Sequence, residues 1–209
     1  GDPSKAPDVI SNSWSCPPVE GCAASDVLLA AVEAVRAAGI LSVHSAGNSG
    51  PGCETITAPA AIYDASFTVG ATDTDGQIAT ISSRGPVMID DSGRLKPDVV
   101  APGIGVYSSY RNGGYAILSG TSMAAPHVAG LAALLISADP ALAGQVDALE
   151  ALITANSVHL TATQDCGNIT HSVPNNVYGW GRIDALAAYE ALEPVERLFN
   201  VFMPALRNP

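Results

Sequence analysis

The 209-residue sequence is short of cations. It holds only two lysines, Lys5 and Lys96, and its arginines are scattered. Nine basic side chains face 20 acidic ones, for a formal charge of −11. Phosphate backbones and anionic lipid surfaces both call for clustered Lys and Arg. A nucleic acid and a membrane surface are therefore not expected partners. No continuous apolar run reaches the roughly 18 to 20 residues that a membrane span requires. Aromatic residues make up only 5% of the chain, so the core must come from Ala, Val, Ile and Leu. Charge is sparse too, at 14% against 47% hydrophobic, a balance that excludes a disordered chain. The first residues, Gly1-Asp2-Pro3-Ser4-Lys5, lack the apolar stretch of a signal peptide. The expectation is that a leader was removed or that the chain begins inside a longer protein.

What is present has the rhythm of an α/β protein. Val9 to Trp14 is a short apolar run suited to a buried strand. After a loop with Cys16 and Cys22, Leu28, Ala31, Val32 and Val35 fall on one helical face, with Ser25 as the expected N-cap and Gly39 as the stop. Ile40 to His44 and Ser66 to Ala71 read as further buried strands, and Val106 to Ser109 and Tyr115 to Leu118 as short β segments. Apolar strands alternating with a helix predict a mostly parallel sheet with helices on both faces. A second helix should run from about Ser122 to Ser137. It is smooth with alanine and therefore central, with Pro126 tolerated as a first-turn residue. A third helix is expected around Val146, Leu149 and Ile153, and a fourth should be capped by Asp184.

The sharpest feature is Ser119-Gly120-Thr121-Ser122-Met123-Ala124-Ala125-Pro126-His127-Val128-Ala129-Gly130. It sets Ser122 at the first turn of a buried helix, where unpaired N–H groups gather. Alone, a serine there is more often a cap than a nucleophile. These twelve residues, however, resemble the nucleophile motif of the subtilisin-like serine proteases. Four other segments agree in family order: Ser45 to Gly50, Val69 to Asp73 with Ser82 to Pro86, Lys96 to Gly103 and Tyr178 to Ala185. The resemblance implies a subtilisin-like fold and peptide-bond hydrolysis through an acyl-enzyme on Ser122. It also implies an oxyanion hole built from Asn48 and the Ser122 N–H. By the same resemblance Ser13, Trp14 and Ser15 form the extended segment beside the substrate, and Ala46 and Gly47 the opposite wall. Trp14 either reshapes a subsite or packs in the core.

The resemblance also defines what is missing. The family runs Asp, His, Ser along the chain, and neither upstream motif is present. His127 lies five residues past Ser122, about 140° round a helix, and so points away from it. His44 reads as a strand residue, and His159 and His171 lie in polar loops. The expectation is that residues 1–193 are the C-terminal portion of a catalytic domain and 194–209 a tail. The N-terminal part of that domain is the expected partner, besides a peptide or protein substrate. The isolated chain should be inactive, and an apolar patch should lie open where the absent part would cover one side of the sheet.

Four cysteines allow three pairings, which the sequence leaves open, although Cys16 and Cys22 suit a local bridge. An even count points to a secreted or extracytoplasmic setting. No organic cofactor is implied. Asp73-x-Asp75-Gly76 and Asp90-Asp91 carry calcium-type ligands, but turn chemistry is their expected role. Asn168-Ile169-Thr170 is a glycosylation sequon. Two rival functions remain: a non-catalytic peptide-binding module, and one half of a two-part protease.

Overall fold

Four parallel strands lie side by side in chain order: β1 (Val9–Asn12), β2 (Leu41–Ser45), β3 (Phe67–Thr72) and β4 (Val99–Pro102). The computed structural model describes residues 5–164, 166–167 and 172–192. Asn12 pairs with His44, Val43 with Phe67 and Val69 with Val99, so the apolar residues stack in register across the sheet. Every residue of β2 and β3 is buried, as expected for strands covered on both faces. A separate antiparallel hairpin, β5 (Val106–Ser109) and β6 (Tyr115–Leu118), follows. The α/β class read from the sequence holds.

Helices α1 (Leu29–Ala37), α2 (Thr121–Ala138), α3 (Val146–Ala155) and α4 (Ala185–Leu192) complete the fold. Helix α2 crosses all four strands and is long and apolar enough to span a membrane by composition. Its buried face instead packs Ala124, Ala125, Val128 and Leu135 against Val43, Val69 and Val99. The small alanines let the helix approach the sheet closely. On the opposite face Thr68 Oγ1 donates to the Ala61 carbonyl (2.7 Å), which pins the 56–63 loop over the strands. Helix α1 packs against that loop through Val32, Ile56 and Ile62. It is also tied to α3 by Arg36, which pairs with Glu150 (2.7 Å) and Asp147.

Several sequence expectations are corrected. Helix α1 begins at Leu29 and Ser25 is not its cap. The Tyr63 hydroxyl takes that role: it accepts from Leu28 N (3.2 Å) while donating to the Ser25 carbonyl (2.7 Å). Strand β1 ends at Asn12, so Ser13–Ser15 lie beyond the ladder. Pro126 sits past the first turn, and the backbone carbonyl its ring cannot serve, that of Ser122, accepts instead from Ser13 Oγ (2.9 Å). Exposed apolar side chains are spread over the molecule: Tyr107, Tyr115 and Ile117 on the hairpin, Trp14 and Val19 after β1, Leu134 on α2 and Leu186 on α4. The Asp184 cap is present, with Oδ1 accepting from Ala187 N (3.0 Å).

Two disulfides form, Cys16–Cys22 and Cys53–Cys166, and no described cysteine is free. The sequon, His171 and the tail with its 193/194 boundary lie outside the described residues.

Candidate active site

The start of α2 is set by close backbone approaches. Gly120 donates to the Gly103 carbonyl (2.7 Å). A Cβ on Gly103 would stand 2.6 Å from Ala71 Cβ and 2.8 Å from the Gly120 oxygen, so only glycine lets the end of β4 meet the helix start. Gly120 adopts φ +152°, outside the usual range of L side chains. The chain then turns at once into the helix.

That turn brings Ser122 and Asn48 to one place across a separation of about 70 residues. Asn48 Oδ1 accepts from Thr121 N (2.9 Å) and from Thr121 Oγ1 (3.0 Å). The Thr121 hydroxyl in turn accepts from Gly47 N (3.1 Å). With its oxygen held twice, the Asn48 side chain has one orientation, and its Nδ2 has no partner among the described residues. The Ser122 backbone N–H and Oγ are likewise without partners there. Two N–H donors and one hydroxyl thus stand ready at the positive end of a helix dipole. Thr121 was not singled out from the sequence. Its only signal was its place before Ser122 in the motif, because a hydrogen bond across the fold leaves no local pattern.

Other predicted residues are distributed around this centre. Ser15, Ala46, Gly47 and Asn48 line one cavity of about 380 Å³. Ser122 lines another of about 380 Å³, between the α2 start and the hairpin, with Met123, His127, Tyr107 and Leu118. Ser13 braces the Ser122 carbonyl, as described above. Trp14 is 50% exposed, so core packing is not its role. Its indole meets His44 edge-on, with centroids 6.1 Å apart, and its Nε1 donates to Asn12 Oδ1 (3.1 Å).

Neither described histidine near the site is placed to activate Ser122. His127 Nδ1 donates to the Met123 carbonyl (2.8 Å), and its ring is exposed. His44, 3% exposed, has Nε2 2.8 Å from Ser42 Oγ. Burial, reinforced by the Lys96 charge, lowers its pKa to about 4, so the ring is neutral at neutral pH. Among the described residues no carboxylate is hydrogen-bonded to either ring. Lys96 is itself buried and bonded to Asp98 Oδ2 (2.6 Å) and the Ser66 carbonyl (2.7 Å).

The calcium-type aspartates are occupied in turns. Asp73 Oδ1 accepts from Asp75 N and Gln77 N, while Asp90 accepts from Ser92 N and Arg94. Among the described residues no group of three His, Cys, Asp or Glu side chains is arranged to hold a metal.

A parallel α/β sheet crossed by a central helix, with a serine and unpartnered N–H donors at that helix's start, is an arrangement suited to acyl transfer. Comparison with known proteins narrows this. The model of the subtilase family, Peptidase S8, matches residues 4–181. Bacillopeptidase F of Bacillus subtilis (strain 168) is 37% identical over 198 residues, covering 91% of this chain and 13% of that protein. Subtilisin DY of Bacillus licheniformis is 41% identical over 136 residues, 65% of this chain and 44% of that protein. A solved structure, that of the prenylagaramide maturation protease PagA, superposes with a TM-score of 0.68 over 91% of this chain and 64% of that one. At 24% identity it supports the fold alone. The chain belongs to the subtilase family of serine peptidases. It spans less than half the length of these two curated relatives.

Proposed function

We propose that this chain carries the nucleophile and oxyanion hole of a subtilisin-like serine endopeptidase. Ser122 Oγ attacks a peptide carbonyl carbon, and an O–C bond forms. The resulting oxyanion is held by the Ser122 N–H and Asn48 Nδ2. The C–N bond then breaks, the amine leaves with the proton that Oγ released, and water hydrolyses the acyl-enzyme. Such donors act on charge that develops in the transition state. Ser13–Ser15 and Ala46–Gly47 border the bound peptide.

The observation that carries this reading is the Ser122–Asn48 arrangement, with Asn48 Oδ1 fixed by Thr121 and its Nδ2 left free. A peptide-binding module would need neither group. The reaction also needs a general base and a carboxylate to orient it, and no described residue contacts Ser122 Oγ in that role. The base and carboxylate are therefore assigned to the N-terminal part of the same catalytic domain. The two disulfides support an oxidising, extracytoplasmic setting. The test is peptide turnover. The full-length natural protein should cleave peptides and lose that activity with Ser122→Ala, while purified 1–209 should show none. Turnover by purified 1–209 would contradict the assignment of the base.

A further inference from the structure

We propose that Ser13 is a positioning residue for the nucleophile: its hydroxyl holds the Ser122 carbonyl, and through that bond the segment after β1 sets the alignment of Ser122 for attack. The proposal rests on the endopeptidase reading.

The need for an outside donor is built into α2. An unbroken helix would satisfy the Ser122 carbonyl with the N–H four residues on, but that position is Pro126. Proline has no N–H, and its ring crowds the carbonyl four residues before it. The nucleophile's own carbonyl is therefore denied its helical partner. Ser13 Oγ supplies the missing donor at 2.9 Å, from 109 residues away. On the other side of the nucleophile, Thr121 N donates to Asn48 Oδ1 (2.9 Å). The Ser122 N–H and Cα–Cβ bond lie between these two anchors. Together the anchors set the direction of the oxyanion donor and of Oγ.

The anchors come from neighbouring strands. Asn12, the last residue of β1, pairs with His44 of β2. Ser13 follows the one strand and Asn48 the other. Ser13 is exposed, yet the chain around it is held. Trp14 Nε1 donates to Asn12 Oδ1 (3.1 Å), and Asn12 Nδ2 donates to Ser42 Oγ (3.1 Å). The residues on either side of Ser13 are thus clasped to each other and to β2. That clasp gives the hydroxyl a fixed base, the support a positioning group requires. Ser13 also belongs to the segment assigned to the peptide, so a seated peptide acts on the residue that steadies the nucleophile. Loss of the hydroxyl should slow bond formation rather than weaken binding, because a misplacement of about 1 Å costs on the order of 100-fold in rate.

The experiment uses the full-length natural protein and one peptide that it cleaves. Active sites are counted by exhaustive titration with a fluorophosphonate, and kcat and KM are measured separately. Ser13→Ala should lower kcat by about tenfold or more and leave KM within about twofold. Ser13→Thr and Ser13→Val are equal in shape and differ in the hydroxyl, so Thr should exceed Val in kcat by about tenfold. That comparison stands even where Ser13→Ala fails to fold. Pro126→Ala gives the Ser122 carbonyl a helical donor, and in that background Ser13→Ala should lower kcat by no more than about threefold. A merely structural role would change stability and leave kcat per titrated site unmoved. A titrated Ser13→Ala protein with kcat within about twofold of the unmodified one overturns this inference while the endopeptidase reading stands. A loss undiminished by Pro126→Ala does the same. Failure of the unmodified protein to titrate at Ser122 overturns both.

Discussion

The start of α2 and the β5–β6 hairpin face each other across one cavity, yet they are built oppositely. At the helix start Thr121, Ala124 and Ala125 are fully buried, and hydrogen bonds reach in from Gly47, Asn48, Gly103 and Ser13. On the hairpin Tyr107 and Tyr115 stack at 5.2 Å in the open, and Ile117 is also exposed. The chain thus pins the backbone around the nucleophile and orients the Asn48 amide, and leaves an apolar surface on the hairpin, where Tyr107 lines the shared cavity but Tyr115 and Ile117 do not. Exposed aromatics grouped in this way mark contact surfaces more often than accidents of packing.

Perturbing the fixed side should therefore cost far more than perturbing the exposed side. The largest effect is expected from Asn48→Ala in the full-length protein. Its kcat should fall by about 100- to 1,000-fold, a magnitude already established for subtilisin and adopted from there. Steady-state kinetics checks it, and an unchanged kcat would remove Asn48 from the oxyanion hole.

Next comes His44. Its folded pKa of about 4 lies below the unfolded value, so the unfolded chain binds the proton more readily. Stability is full above about pH 6.5 and is lost as pH falls toward 4, by on the order of 3 kcal/mol. Urea denaturation at pH 7 and pH 4.5 measures this, and His44→Gln should flatten the difference. Gly103→Ala should cost about 1–3 kcal/mol by overpacking against Ala71 and Gly120. Ser13→Ala, which leaves the Ser122 carbonyl without its donor, should cost about 1 kcal/mol. At the other extreme, Tyr107→Ser on the hairpin should change the stability of 1–209 by no more than about 0.5 kcal/mol. A larger loss there would erase the contrast between the two walls.

The same contrast governs what could be read from the sequence. Helix α2, its neighbours α3 and α4 and the Asp184 cap were legible because periodicity and capping are local. Ser122 and Asn48 are picked out by motifs, and the fold brings their segments together at the start of α2. The start of α1 departs from the local pattern because Tyr63, 38 residues from Ser25, holds the turn before the helix through its hydroxyl. That Pro126 is tolerated past the first turn is invisible to local rules, because the donor that satisfies the Ser122 carbonyl, Ser13, is 109 residues away. Thr121 escaped notice for the same reason. Local rules identify the elements, and the long-range hydrogen bonds that tune the site appear only in three dimensions.

The central claim is that Ser122 is a nucleophile held ready by this chain but activated from outside it. Fluorophosphonate labelling followed by mass mapping tests it most directly. The full-length natural protein should be labelled at Ser122 and purified 1–209 left unlabelled. Labelling of 1–209 alone, or labelling of the full-length protein at another residue, would contradict the account.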